Sequence, residues 1–161
     1  MTWVSHTAVT GAVTYAITLD PKFAAAAALG AVLPDKVEFM LPFTKHRGNS
    51  HAIAIWVGLI AIAAMATGVA WTPEIQTGAY YAFAVFIGGL CHVLEDMCSV
   101  SGVPILPTLP GLPKGPVAKI PLYKTGSISE FIVAGVILAG CATLVVMRTE
   151  AAGTGAGNFP F

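Results

Sequence analysis

The sequence predicts an all-α fold, an integral membrane helical bundle of about four spans plus a short half-span helix, with a Pro-rich cytoplasmic segment. Three observations predict it. Of the 161 residues, 56% are hydrophobic and only 10% charged, against roughly 25% charged in an ordinary soluble domain, so a water-facing surface is hard to build. Apolar windows without Asp, Glu, Lys or Arg recur along the chain, and the few basic residues lie unevenly between them. The mean hydropathy of +0.78 agrees. Lys and Arg balance Asp and Glu to a net charge of zero, which argues against an electrostatic grip on nucleic acid. The length suits a single membrane-embedded domain over residues 1–150, followed by a flexible Gly-rich tail over 151–161.

A spanning helix needs about 20 apolar residues, fewer where the bilayer thins. Thr2 to Leu19 is a short span that breaks at Asp20-Pro21. It lacks a positively charged leader and a cleavage site, so it is expected to stay in the mature protein. Phe23 to Leu33 is Ala-rich and stops at Pro34, long enough only for a packed half-span. Ala52 to Trp71 carries no charge and ends in an interfacial Trp, the clearest span by pattern. Ile75 to Leu94 follows and is expected to continue past Glu95 and Asp96 toward Met97. Ser127 to Met147 is the last span, with Glu130 near its start.

Orientation follows from the basic residues. Lys36, Lys45 and Arg47 precede the third segment, and Lys114, Lys119 and Lys124 lie between Ser99 and Gly126, whereas only Lys22 and Arg148 fall on the other face. The six-residue face is read as cytoplasmic, which gives a multi-pass protein of the cell's inner (plasma) membrane in contact with lipid. Five prolines between Ser99 and Gly126, Pro104, Pro107, Pro110, Pro113 and Pro116, recur every third residue, the period of a polyproline II helix. That edge could dock a protein partner rich in aromatics. The apolar spacers Ile105, Leu106, Leu109 and Leu112 favour a stiff cover over the membrane face instead. Cys91, Cys98 and Cys141 are an odd number in apolar stretches and read as buried thiols without a disulfide framework.

Ionisable side chains at a membrane helix are costly and mark functional sites by default. Threading the chain through this topology brings all four histidines, His6, His46, His51 and His92, to the cytoplasmic ends of their segments, level with Asp35, Asp96 and Glu130. His92 and Asp96 are at i and i+4 on one helix face, and Glu95 at i+3 competes for the same role. Ser50 is placed to cap the following helix, whose positive end with Arg47 as a bidentate clamp would suit phosphate. Ser127 to Glu130 is a capping box that would hold Glu130 without any metal. Four histidines and three carboxylates from five segments, meeting in an otherwise uncharged bundle, point to a shared ion.

The residues that carry these features are His6, Gly30-Ala-Val-Leu-Pro-Asp35, His46-Arg-Gly-Asn-Ser-His51, His92-Val-Leu-Glu-Asp96 followed by Gly102 and Pro107, and Thr125-Gly-Ser with Glu130. Together they resemble the YdjM-like family of membrane-bound metal-dependent hydrolases, distantly similar to zinc-dependent phospholipase C and single-strand nucleases. The resemblance covers most of the chain. It departs at Val37, where the family pattern Pro-Asp-x-Asp has a second acid; Glu38 is adjacent.

The resemblance implies metal-assisted hydrolysis of a phosphoester, in a lipid or lipid-linked phosphate, at the membrane surface. His6, Asp35, His46, His51, His92 and Asp96 would bind one or two divalent ions, zinc on the imidazole content or else manganese, with Arg47 and Glu130 as catalytic groups. A metal-independent lipid phosphatase is disfavoured, because Gly88-Gly-Leu-Cys precedes His92 where that chemistry needs Arg or Ser. The non-catalytic alternative is a membrane scaffold or assembly subunit whose polar cluster holds a structural ion.

Overall fold

In the computed structural model the described residues are 1–40, 48–69, 72–108 and 115–153. They form six α-helices, α1 (Trp3–Thr18), α2 (Pro21–Gly30), α3 (Leu33–Met40), α4 (Ile53–Gly68), α5 (Pro73–Met97) and α6 (Ile128–Gly153). A two-stranded ribbon of β1 (Val103–Pro104) and β2 (Val117–Ala118) lies between α5 and α6 in the chain.

Local chemistry sets the breaks. Thr2 caps α1, its hydroxyl accepting from the Ser5 N–H. The helix stops at Leu19, whose left-handed backbone (φ 54°) lets its own N–H return to the Tyr15 carbonyl. Asp20 then starts α2: Oδ1 accepts from the N–H groups of Lys22 at 2.8 Å and Phe23 at 3.1 Å, and Pro21 occupies the first turn, where a missing N–H costs nothing. Inside α1, the Thr14 and Thr18 hydroxyls bond back to the carbonyls of Thr10 and Thr14, which satisfies them without solvent.

Packing is by small residues. At Gly30 a Cβ would fall 2.0 Å from the Val85 carbonyl oxygen, and at Gly88 1.9 Å from that of Ala27. The backbones of α2 and α5 therefore meet at a distance only glycine permits. On its other side α5 receives Trp56 of α4, whose ring lies where a side chain at Gly89 would be, and the indole N–H donates to the Ser50 carbonyl at 2.8 Å. Val9 of α1, Ala134 of α6, Tyr123 and Met1 make a second buried cluster.

Among the described residues two helices, α5 with 25 residues and α6 with 26, are long and apolar enough to cross a membrane. The span expected over Ala52 to Trp71 is a 16-residue apolar helix, Ile53–Gly68, short of that length, and Trp71 lies outside the described residues. Helix α6 runs on through Ala151–Gly153, into the segment expected as tail. The outward side chains Phe131, Ile132, Val136 and Met147 of α6 are exposed and apolar, as a lipid-facing surface requires.

The polyproline II expectation is corrected at both ends of its segment. Val103 pairs with Ala118 and Pro104 with Val117 in an antiparallel ladder, and Gly102, in a left-handed conformation (φ 70°), lets the second strand approach, since a Cβ there would fall 2.6 Å from the Ala118 carbonyl oxygen. Pro110 and Pro113 lie outside the described residues. Ile105 and Leu106, two of the apolar spacers, are exposed, as a lipid-facing cover allows. The ribbon is tied to α4, since the Ile105 carbonyl accepts from the Ala54 N–H at 3.0 Å. Ser50 does not cap α4 as expected: Ala52 holds the cap position and offers no side-chain bond, so a backbone carbonyl from the ribbon satisfies that helix start.

Candidate metal centre

Four helical segments bring their ionisable residues to one end of the bundle. His6 is in the first turn of α1, Asp35 in that of α3, and His51 closes a short 3-10 turn (Asn49–His51) before α4. His92 and Asp96 project from the last turns of α5. His6, His51, His92 and Asp96 are buried, and Asp35 is half-buried.

The three imidazoles are oriented alike. His92 Nδ1 lies 2.6 Å from the Ala31 carbonyl oxygen, which can only accept, so Nδ1 carries the proton and Nε2 presents a lone pair. His6 Nδ1 donates to Glu95 Oε2 at 2.5 Å, and Thr10 donates to the other Glu95 oxygen at 3.1 Å. His51 Nδ1 faces Ser50 Oγ at 3.1 Å and Glu38 Oε2 at 3.4 Å. All three Nδ1 atoms thus point outward to acceptors and all three Nε2 atoms point inward, the arrangement that fixes metal-binding histidines.

The inward atoms converge. His51 Nε2, His92 Nε2 and Asp35 Oδ1 form a triangle with edges of 3.2, 3.3 and 3.6 Å. Two ligands on a tetrahedral zinc with bonds of roughly 2.0–2.1 Å stand about 3.3–3.4 Å apart, so the triangle has close to the dimensions of one face of such a site. Asp96 Oδ2 lies 3.8 Å from His51 Nε2 and 4.0 Å from His92 Nε2, on the same centre.

A second group, His6, His92 and Asp96, shares two of these residues. The His6 ring stacks on His92 at 3.8 Å between centroids, with its Nε2 3.4 Å from Asp96 Oδ1. That Nε2 is buried and makes no hydrogen bond. Asp96 Oδ1 also meets the Met1 nitrogen at 2.6 Å. The residues present therefore suit a bound cation. Close lone pairs on neighbouring imidazoles and a buried nitrogen without a partner are unfavourable by themselves and are what a cation relieves. The donor set of imidazole and carboxylate suits zinc or manganese rather than a thiolate-seeking ion.

Asp35 sets the electrostatics of the open side. Burial works to raise its carboxyl, but the neighbouring His51 and His92 imidazoles and the Trp3 indole outweigh it and hold it at about 2. The Trp3 indole N–H donates to Asp35 Oδ2 at 2.6 Å, leaving Oδ1 for the centre, and Lys36 Nζ sits 4.7 Å above the same indole.

Of the residues singled out from the sequence, His6, Asp35, His51, His92 and Asp96 come together. His46 and Arg47 lie outside the described residues. Glu130 stands apart from both groups: Oε1 accepts from the Thr2 N–H and Oε2 from the Gly126 N–H, each at 2.6 Å. The capping box is thus corrected in detail, since the carboxylate reaches Gly126 instead of Ser127 and ties the starts of α1 and α6 together. Glu38, beside the departure at Val37, supports His51 from behind. Sequence reasoning missed Trp3 and Thr10, which carry no metal-ligand signal of their own; Trp3 reads simply as an interfacial aromatic.

A family model described as YdjM inner membrane protein matches residues 1–156. No curated protein and no solved structure matches the chain.

Proposed function

The chain belongs to the YdjM inner membrane protein family, and from that premise we propose that it is a multi-pass hydrolase, metal-dependent and acting on a phosphoester at the cytoplasmic end of its bundle. As a membrane protein with apolar helices it contacts the lipid bilayer. In the proposed topology α1, α4, α5 and α6 cross the bilayer and α2 enters it partway. Lys36, Lys119 and Lys124 belong to segments at the end that carries the cluster, and the positive-inside rule makes that end cytoplasmic.

The observation that carries the reading is the triangle of His51 Nε2, His92 Nε2 and Asp35 Oδ1. These three residues would hold one ion with Asp96 Oδ2, and His6 with the other Asp96 oxygen would contribute to a second; zinc is the ion proposed. A divalent ion held there supplies Lewis acidity and an activated water at neutral pH. Glu95, the Ala31 carbonyl and Glu38 keep the imidazole protons on the outer nitrogens, so the inner ones stay available. Asp35 is the half-buried member of the set, and substrate would approach from its side, with Trp3 holding the carboxylate in place. Arg47 is retained as the proposed phosphate clamp.

The burial of His6, His51, His92 and Asp96 equally suits a structural ion in a scaffold, and one experiment separates the two. Purified protein is assayed for bound metal and for phosphate release from a panel of phosphomonoesters and phosphodiesters, with and without chelator. Chelator-sensitive turnover that Asp35→Ala and His92→Ala both abolish supports the hydrolase. Bound metal without turnover on any ester supports the scaffold, and turnover that survives complete metal removal contradicts the metal-dependent reading.

A further inference from the structure

Beside the metal centre lies a cavity of about 240 Å³ that the proposed chemistry does not use. Its walls are Val9 and Val13 of α1, Cys91 and Leu94 of α5, and Val133 and Ile137 of α6. Glu95, Cys98 and Met1 line it at the end nearest the metal centre. We propose that this cavity takes one hydrocarbon chain of a bilayer lipid whose phosphate headgroup is presented to the metal centre. The proposal rests on the hydrolase reading and names its substrate class, a phosphate ester carried on a lipid chain.

Three features lead there. The first is chemistry: apart from Glu95 the lining side chains are apolar, and water does not fill an apolar void favourably. A hydrocarbon chain does, through the dispersion contacts that the empty walls otherwise lack. The second is location. Two of the three walls are α5 and α6, the helices long and apolar enough to cross a membrane, and Leu94 of α5 is exposed at the rim. The cavity is therefore continuous with the lipid-facing surface, where acyl or isoprenoid chains are the surrounding solvent.

The third is connection. Glu95 lines the cavity and accepts the His6 Nδ1 proton, so the cavity ends one hydrogen bond from the candidate ligands. From Cys98 to Cys91 the cavity follows α5 for roughly 10 Å at 1.5 Å per residue, inward from the centre toward the bundle's middle. At about 240 Å³ it has room for part of a hydrocarbon chain. A lipid lying with its chain along α5 would have its headgroup at the end where His6 and Asp96 sit.

The test is photo-crosslinking of the full chain in phosphatidylcholine vesicles. These contain a few mole per cent of either phosphatidic acid or phosphatidylcholine with the same diazirine-bearing tail, and adducts are mapped by mass spectrometry. With phosphatidic acid, adducts are expected to concentrate several-fold on Cys91, Leu94 and Val133 over the outward residues Ile132 and Val136, and the phosphatidylcholine probe is expected to lack that concentration. Val133→Trp, and separately Val13→Trp, are expected to remove the cavity adducts and leave those on Ile132 and Val136. Adducts spread evenly over the outward faces with both probes in the unsubstituted protein would overturn the proposal, whatever the variants do. So would rapid labelling of Cys91 in vesicles by a membrane-impermeant maleimide, which would mean that the cavity is water-filled.

Phosphate release from the same vesicles is read in parallel. Cavity adducts without phosphate release leave the lipid site standing and count against hydrolysis alone. Release from a short-chain soluble ester, with no cavity adducts, sustains hydrolysis and overturns the lipid site.

Discussion

A histidine whose Nδ1 proton is taken by a carbonyl can only accept at Nε2, and at His92 that lone pair faces another imidazole nitrogen at 3.2 Å. The groups that fix such rings are as testable as the ligands. Glu95→Gln, which weakens the hold on His6, and Trp3→Phe, which frees Asp35 Oδ2, are each expected to lower zinc affinity by roughly 10–100-fold without unfolding the chain, measured by competition with a chelating dye. Unchanged affinity in both would mean that neither orients a ligand. The folded Asp35 value of about 2 lies below the ordinary 3.8, so the stability it contributes is complete above the ordinary value and fades only as pH falls toward about 2. Protons compete with metal for every ligand, so a metal-retention series is expected to fall on acidification, and retention unchanged down to about pH 2 would contradict ligation by these residues. His6, His51, His92, Asp35 and Asp96 were legible in the sequence because ionisable residues stand out in apolar windows. The division of labour between Asp96 and Glu95 was not, since both are carboxylates on one helical turn and only their partners tell them apart.

Between elements, the contact of α2 with α5 depends on glycine. Gly88→Ala puts a methyl 1.9 Å from the Ala27 carbonyl oxygen and must push the backbones apart, at an expected cost of about 1–3 kcal/mol. Gly78→Ala, on the same helix with nothing within 4 Å of its Cβ position, is expected to be neutral or to stabilise by a few tenths to about 1 kcal/mol. Thermal unfolding in one detergent compares the two, and equal shifts would contradict the close approach. Glu130→Ala removes the acceptor shared by the Thr2 and Gly126 N–H groups and is expected to cost about 1–3 kcal/mol in the same assay. The breaks at Asp20-Pro21 and Pro34 were readable because capping and proline chemistry are local. The Thr2 to Glu130 bond joins residues 128 apart in the chain, and no local pattern announces it. The ribbon of β1 and β2 was hidden for a different reason: a proline every third residue describes an extended backbone, and nothing in that period tells a lone extended segment from one whose ends pair.

For the whole molecule, scarce charge announced a membrane protein, and its distribution pointed to one end of the bundle, where His6, Asp35, His51, His92 and Asp96 meet. The length of each span was less legible, because an apolar window shows where a helix can run and not where its hydrogen bonds stop; the window from Ala52 to Trp71 yields a 16-residue helix. Placement of the cluster on the cytoplasmic side is checked by Lys119→Cys and Lys22→Cys. In inside-out vesicles an impermeant maleimide is expected to label the first and spare the second, and the reverse pattern would invert the topology. The central claim is that the five converging residues hold a divalent ion. It is tested most directly by elemental analysis of the purified chain after zinc or manganese loading and dialysis, alongside Asp35→Ala and His92→Ala. The account predicts one to two ions per parent chain and loss of at least one in each variant. A parent chain that retains no metal under replete conditions would contradict it.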